Sequence, residues 1–267
     1  MTVIKQITII AVLFLILSMN AFSQINTEIY RSSMDEDGIK GKINFSYAHY
    51  TGNADLKLLK GGFRLDHLKK SYNTFLVANL DYGESDGISN LSKGFSHLRS
   101  IRKLNQMFSG ELFVQKQYDK FIYLKNRDLL GGGLRISSNF KSREEGPALK
   151  VNFNLGIGLM YEHEKYDRED EEFPADLIEN TYITRSTNYI SMNAVYNEKI
   201  KLNLIGYYQV DIEDFNNYRI LTEGNLEIPL YKNLSFSINA SFRYDNHPFS
   251  DLKRHDFQLT NGLSYSF

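Results

Sequence analysis

Cysteine and tryptophan are absent from this chain, and only four prolines occur in it. A chain without cysteine cannot depend on disulfides, a condition that a secreted fold can meet in other ways. With so few prolines and no low-complexity run there is no composition that marks a linker, and a single domain is expected. Charge of either sign is also not in excess. The formal net charge of -1 argues against electrostatic binding of nucleic acid. Beyond one stretch near the N-terminus, no apolar run approaches the roughly 20 residues that a spanning helix needs. Mean hydropathy is negative, at -0.38. These absences exclude a helical membrane protein. They do not exclude a barrel, whose strands face a polar interior with half of their side chains.

Residues 1–23 read as a signal peptide. Lys5 gives the positive start, residues 7–17 the apolar run, and Ala21-Phe22-Ser23 a small-x-small cleavage site, so the mature chain would begin at Gln24. No cysteine follows the run, which excludes a lipoprotein. Residues 24–38 then read as a periplasmic lead-in and 39–267 as the folded domain.

From there the dominant pattern is alternation. Leu234, Phe236, Ile238, Ala240, Phe242 and Tyr244 share one parity, and Ser235, Ser237, Asn239, Ser241 and Arg243 share the other. Side chains alternate faces along a strand, so such a segment has an apolar face and a polar face. The same rhythm marks strands near 43–48, 56–67, 72–82, 90–102, 108–114, 130–136, 151–162, 190–196, 200–210, 218–230 and 257–267. Alternation is poor in 90–102, and Gly61-Gly62 suggests a bulge or bend in 56–67. Twelve strands is an even number, as a single-chain outer-membrane barrel requires, with ten the alternative if the second and fourth fail.

The connections sort by length. The turns at 197–199 and 231–233 fall on one side, and the longer 164–180, 211–217 and 245–256 on the other. Short periplasmic turns and long outer loops are the expected asymmetry, with 141–149 departing from it. The 18 tyrosines and 18 phenylalanines suit aromatic girdles at two membrane interfaces. The chain stops on Phe267 in mid-strand. Gly262, Tyr265 and Phe267 resemble the terminal signal read by the outer-membrane barrel assembly machinery, the expected partner alongside outer-membrane lipid and lipopolysaccharide. The expectation is therefore an all-β, transmembrane, antiparallel up-and-down barrel of about twelve strands in the outer membrane of a Gram-negative bacterium.

The stretches 124–136 (LKNRDLLGGGLRI), 154–162 (NLGIGLMYE) and the tail through 245–248 and 253–256 to Phe267 resemble an uncharacterised family of bacterial outer-membrane barrels. Its members are often labelled salt-induced outer membrane protein. The resemblance covers the second half of the mature chain and implies an outer-membrane barrel linked to stress or osmotic conditions. It brings no catalytic residues.

Parity places Glu111, Arg135, Glu162, Lys201, Asp211, Arg219, Glu223, Glu227 and Arg243 on the inner face. Ionisable groups at membrane depth must pair or line water, so these charges either plug the interior or bias permeation through it. Gly131, Gly133, Gly156 and Gly158 share that face. With strands six and seven paired so that residue numbers sum to 289, they form a bare patch, and Phe113 from the neighbouring strand could cover it. Curvature is the plain purpose of such glycines, and a ligand-receiving slot the sharper one.

Chemistry has little local signature. None of the six histidines has a serine two positions away on its face, so no Ser–His constellation is legible and an enzyme is not expected. Residues 163–172 are rich in acid but lack the spacing and turn glycine of a calcium loop, so neither a metal nor another cofactor is expected. Gly131-Gly132-Gly133 and Gly156-Ile157-Gly158 have no following helix, which removes a nucleotide loop. The leading expectation is a passive channel for small polar solutes or an element of envelope stability. The alternatives are a lipid- or lipopolysaccharide-modifying barrel enzyme and a secreted soluble β-barrel binder.

Overall fold

The computed structural model describes residues 37–51, 55–85, 88–142, 148–167, 178–197, 199–231, 234–249 and 252–265. The expected signal peptide, almost all of the lead-in, and Phe267 lie outside the described residues. Twelve strands follow one another: β1 (Gly38–Tyr50), β2 (Leu56–Lys69), β3 (Tyr72–Ser85), β4 (Ile88–Lys103), β5 (Phe108–Asp119), β6 (Leu124–Lys141), β7 (Leu149–Asp167), β8 (Ile178–Tyr196), β9 (Ile200–Asp211), β10 (Tyr218–Tyr231), β11 (Leu234–Asp245) and β12 (His255–Tyr265). Each pairs antiparallel with the next in one sheet ordered from β1 to β12, an up-and-down topology that needs only local connections.

The side of the wall that is buried is the polar one. On β5 the inward residues Glu111, Gln115, Gln117 and Asp119 are buried, whereas Leu112 between them is 69% exposed. On β7 Glu162 and Glu164 are buried while Leu159 is 57% exposed. Arg127 and Arg185 are among the largest fully buried side chains in the molecule. The sheet curls about these residues. Tyr189 on β8 reaches Glu111 on β5, and Arg219 on β10 reaches Glu162 on β7.

β4 alternates poorly in sequence because both of its faces are mixed. Phe95 and Ile101 point inward beside His97 and Arg99 and pack with Phe75 and Val77 of β3, while Ser96 and Ser100 lie on the outer face. It is a strand nonetheless, held in register on both sides.

Three expectations are corrected. Gly61-Gly62 makes no bulge in β2, whose register is continuous on both sides, and the Asn44 side chain fills the space where a Gly62 Cβ would stand. The acidic stretch 164–180 is not one long connection. β7 continues to Asp167 and β8 begins at Ile178, since inward Glu164 and Tyr166 find buried partners. Finally, β6 and β7 pair with numbers summing to 291, not 289: Gly133 faces Gly158, Gly131 faces Met160 and Arg135 faces Gly156. Parity fixes a residue's face but cannot exclude a slip of two. In the observed register the Tyr189 ring lies over Gly156, and Arg135, opposite that glycine, donates to Asn154 and to the Tyr189 hydroxyl.

The end asymmetry holds for most connections, with 142–148 departing from it as expected and 86–87 as a second exception. One end carries the connections 70–71, 104–107, 142–148, 197–199 and 232–233, and the other carries 51–55, 86–87, 120–123, 168–177, 212–217 and 246–254. At the tight 197–199 turn Asn197 takes φ of 50° and Lys199 N–H donates to the Tyr196 carbonyl at 3.1 Å. Left-handed backbone suits asparagine better than most residues.

Candidate functional site in the interior

Registered pairing arranges the inward residues in rows across the wall, and each row has its own chemistry. Towards the long-connection end lies a closed set of charges. Arg219 Nη1 lies 2.9 and 3.0 Å from the two carboxylate oxygens of Glu162, its Nη2 3.0 Å from Glu164 and its Nε 2.8 Å from Asp245. Arg185 Nε donates to Glu162 at 2.9 Å, and Arg127 pairs with Glu164. Three guanidinium groups thus meet three carboxylates. Burial of any one ion alone would cost several kcal/mol, and the multiple bonds to each are what make the arrangement tolerable.

The connections reinforce this closure. Arg185 Nη1 donates to both the carbonyl and the side-chain oxygen of Asn217, at 3.2 and 3.1 Å. Above it Ile122, Leu124, Tyr166 and Phe249 form an apolar cap, with Tyr166 and Phe249 stacked at 4.6 Å. Ile122 is held there by a short 3-10 turn, Lys120–Ile122, capped by Asp119, whose side chain accepts from Phe121 N–H at 3.0 Å.

Deeper in, Arg99 and Arg135 flank Glu111 at 3.3 and 4.0 Å. Tyr189 donates to Glu111 at 3.1 Å and accepts from Arg135 at 3.3 Å. A hydrogen-bonded line runs beside them. Arg99 Nε donates to His97 Nε2 at 3.3 Å, so the imidazole proton is on Nδ1 and donates to Gln115 at 2.9 Å; Gln115 in turn donates to Gln117 at 2.8 Å.

The glycine patch is filled and not bare. Phe113 covers Gly131, as expected, and the Tyr189 ring occupies the space beside Gly156. Gly133 and Gly158 meet backbone to backbone, and they border a cavity of about 60 Å³ that Arg127, Glu162 and Met160 also line. The slot hypothesis therefore shrinks to that small space.

Towards the short-turn end the interior opens into a vestibule of about 550 Å³. Its lining is mostly Asn, Ser, Gln and Thr from β8 to β12, with Glu223 among them. Lys201 and Glu227 pair at 3.3 Å near its mouth and stay half-exposed.

The nine charged residues expected on the inner face thus divide. Glu111, Arg135, Glu162, Asp211 and Arg219 are buried in the closed half, and Arg243 pairs there with Asp256. Glu223, Lys201 and Glu227 belong to the open half. Sequence reasoning missed Arg99, Arg127, Glu164 and Arg185. Arg127, Glu164 and Arg185 stand on strand extensions beyond the apolar alternation, and Arg99 on the poorly alternating β4. Strict inward parity carried outwards from Arg135 and Glu162 would have found Arg127 and Glu164, and the parity opposite Ile190, Met192 and Ala194 on β8 would have found Arg185. Gly262 and Tyr265 stand on β12, while Phe267 and the second half of the acidic 163–172 stretch, residues 168–172, lie outside the described residues. Among the described residues no group of three or more His, Asp or Glu is placed to hold a metal ion.

No match to a curated protein was found. A family model described as a protein of unknown function, DUF481, matches residues 43–267, from within β1 to the last residue. The chain belongs to the DUF481 family.

Proposed function

We propose that this protein is an integral barrel of a Gram-negative outer membrane, its circle completed by β1 against β12, and that it serves as a closed envelope element and not as an open pore. The observation that carries the reading is the buried set of Arg127, Arg185, Arg219, Glu162 and Glu164, with Asp245 beside it, which bridges β6, β7 and β8 to β10 and β11 next to an apolar cap. A water-filled channel needs a continuous polar path, and paired, desolvated charges interrupt one.

Membrane insertion is supported by the outward face. Leu112, Leu130, Ile157, Leu159, Ile190 and Leu263 are each more than half exposed, on strands from β5 to β12. A monomer in water rarely carries an apolar surface of that extent, whereas lipid would cover it. A soluble binder would need that face buried. Closure of β1 on β12 would satisfy the two edges that the sheet otherwise leaves. In this reading the C-terminal strand through Gly262, Tyr265 and Phe267 addresses the barrel assembly machinery, and lipopolysaccharide surrounds the long-connection end. The salt or osmotic association implied by the resemblance would then act through reinforcement of the envelope.

The test is fractionation with refolding. The protein should float with outer-membrane vesicles after carbonate washing, and should migrate faster in unheated than in boiled gel samples. Recovery in the soluble periplasmic fraction would overturn the reading.

A further inference from the structure

Six asparagines stand in one row of the wall. Asn139 faces Asn152, which faces Asn193; then follow Asn203, Asn225 and Asn239, each opposite the last, and Thr260 on β12 ends the row. All have inward parity on strands β6 to β11. The next row towards the short-turn end holds Lys150, Val195, Lys201, Glu227 and Ser237, whereas the next inwards continues the neutral polar lining with Asn154, Ser191, Ser241 and Gln258 beside Glu223.

The amides bond to each other in one direction. Asn203 Nδ2 donates to Asn225 Oδ1 at 3.2 Å, and Asn225 Nδ2 donates to Asn239 Oδ1 at 2.7 Å. A side-chain amide has two N–H donors and an oxygen with two lone pairs. One bond given and one received therefore leaves Asn225 a further donor and a further acceptor. A ladder serving only to tie strands would be sealed by packing. This one borders the vestibule of about 550 Å³, within the ordinary range for small-molecule sites.

We infer that this asparagine row is a binding site for a neutral, hydroxyl-rich solute, a saccharide of one or two rings, reached from the short-turn end. Amides exchange donors and acceptors with hydroxyls without desolvating a charge. Neighbouring strands lie about 4.8 Å apart, so successive amides are spaced at roughly the width of a sugar ring. Ile205 in the same lining supplies apolar surface for ring C–H groups. Charged solutes find less here, since Glu223 is the one ionisable side chain among the described residues of the lining. The site rests on the interior geometry and not on the membrane location.

The experiment is titration of the folded protein, in a zwitterionic and sugar-free detergent, with maltose and with gluconate as its charged counterpart. Calorimetry and saturation-transfer NMR of the sugar protons are the readouts. Maltose should bind saturably and gluconate more weakly. Asn225→Leu, which removes the central link, should weaken maltose binding by about tenfold or more, the scale of one to two lost hydrogen bonds. Thr74→Ala, on the outer face, should leave it unchanged. Asn193→Ala gives a second reading of the row should Asn225→Leu not fold. Maltose that fails to saturate, equal affinity in a folded row variant, or preference for gluconate would each overturn the site. Saturable binding by a protein that does not enter lipid would keep the site and remove the outer-membrane reading instead.

Discussion

Arg219 on β10 holds Glu162 on β7 across the interior, with its Nη1 at 2.9 and 3.0 Å from the two carboxylate oxygens. The two strands are three apart in the sheet, so this contact reports curvature as well as chemistry. Glu162 has a second cation in Arg185, and Arg219 a second carboxylate in Glu164. Removing one member therefore strands several charges in a place that water does not reach.

Arg219→Ala should destabilise the fold by about 3–5 kcal/mol, the range for leaving a buried partner unpaired. Arg219→Lys should lose less, yet not recover the wild-type value, because an ammonium cannot reproduce the planar fork that serves Glu162, Glu164 and Asp245 together. Urea unfolding in lipid vesicles measures both. Two variants of wild-type stability would mean that the charges do not pair as described.

Gly133 and Gly156 on the inner face should differ sharply from Gly61 and Gly110 on the outer face. An added methyl at Gly133 meets the Ile157 carbonyl, and one at Gly156 meets the Tyr189 ring; at Gly61 and Gly110 it meets nothing within 4 Å. Alanine at either inner position should therefore cost about 1–3 kcal/mol by overpacking. At Gly61 it should be neutral or stabilising, by up to ~1 kcal/mol. Unfolding midpoints of the single variants decide this, and equal effects would contradict the packing.

His97 offers a spectroscopic test. Its Nε2 accepts from Arg99 and its Nδ1 donates to Gln115, so nitrogen-15 shifts should report a proton on Nδ1 and a bare Nε2. Gln115→Leu should leave that proton without its acceptor and cost about 1–3 kcal/mol. The opposite tautomer would show that the line from Arg99 to Gln117 is wrong.

Outer-face charge tests the solvent. Leu159, opposite Gly132 and Ser186 in the middle of the long strands, is 57% exposed. With lipid outside, Leu159→Arg should destabilise the protein in bilayers by about 2–4 kcal/mol. In water the same change at an exposed position would stay within about 0.5 kcal/mol. Parallel unfolding in vesicles and in detergent-free buffer separates the two.

Much of the fold was legible in the sequence because its signal is a period of two repeated through the chain. Apolar parity marked Leu234 to Tyr244 and residues 151–161 as strands, and the same parity placed Glu111, Arg135, Glu162 and Arg219 inside. Two kinds of information were not legible. A slip of two residues between β6 and β7 preserves every face, so the register awaited the packing of Tyr189 over Gly156, opposite Arg135. Strand ends beyond the apolar belt lose their hydrophobic alternation, which hid Arg127, Glu164 and Arg185. Their partners lie 37, 55 and 23 residues away in sequence, and only the curled sheet brings them together. The asparagine row is a similar case: six common polar residues acquire meaning only through the pairing of six strands.

The central claim is closure of the interior, and conductance tests it most directly. The refolded protein, with insertion into a planar bilayer verified separately by its heat-shifted gel band, should pass no discrete current steps, and Arg219→Ala or Glu162→Ala should raise the leak. Steady, discrete steps from the inserted wild-type protein would contradict the claim and make Arg135, Arg219 and Glu223 the lining of a working channel.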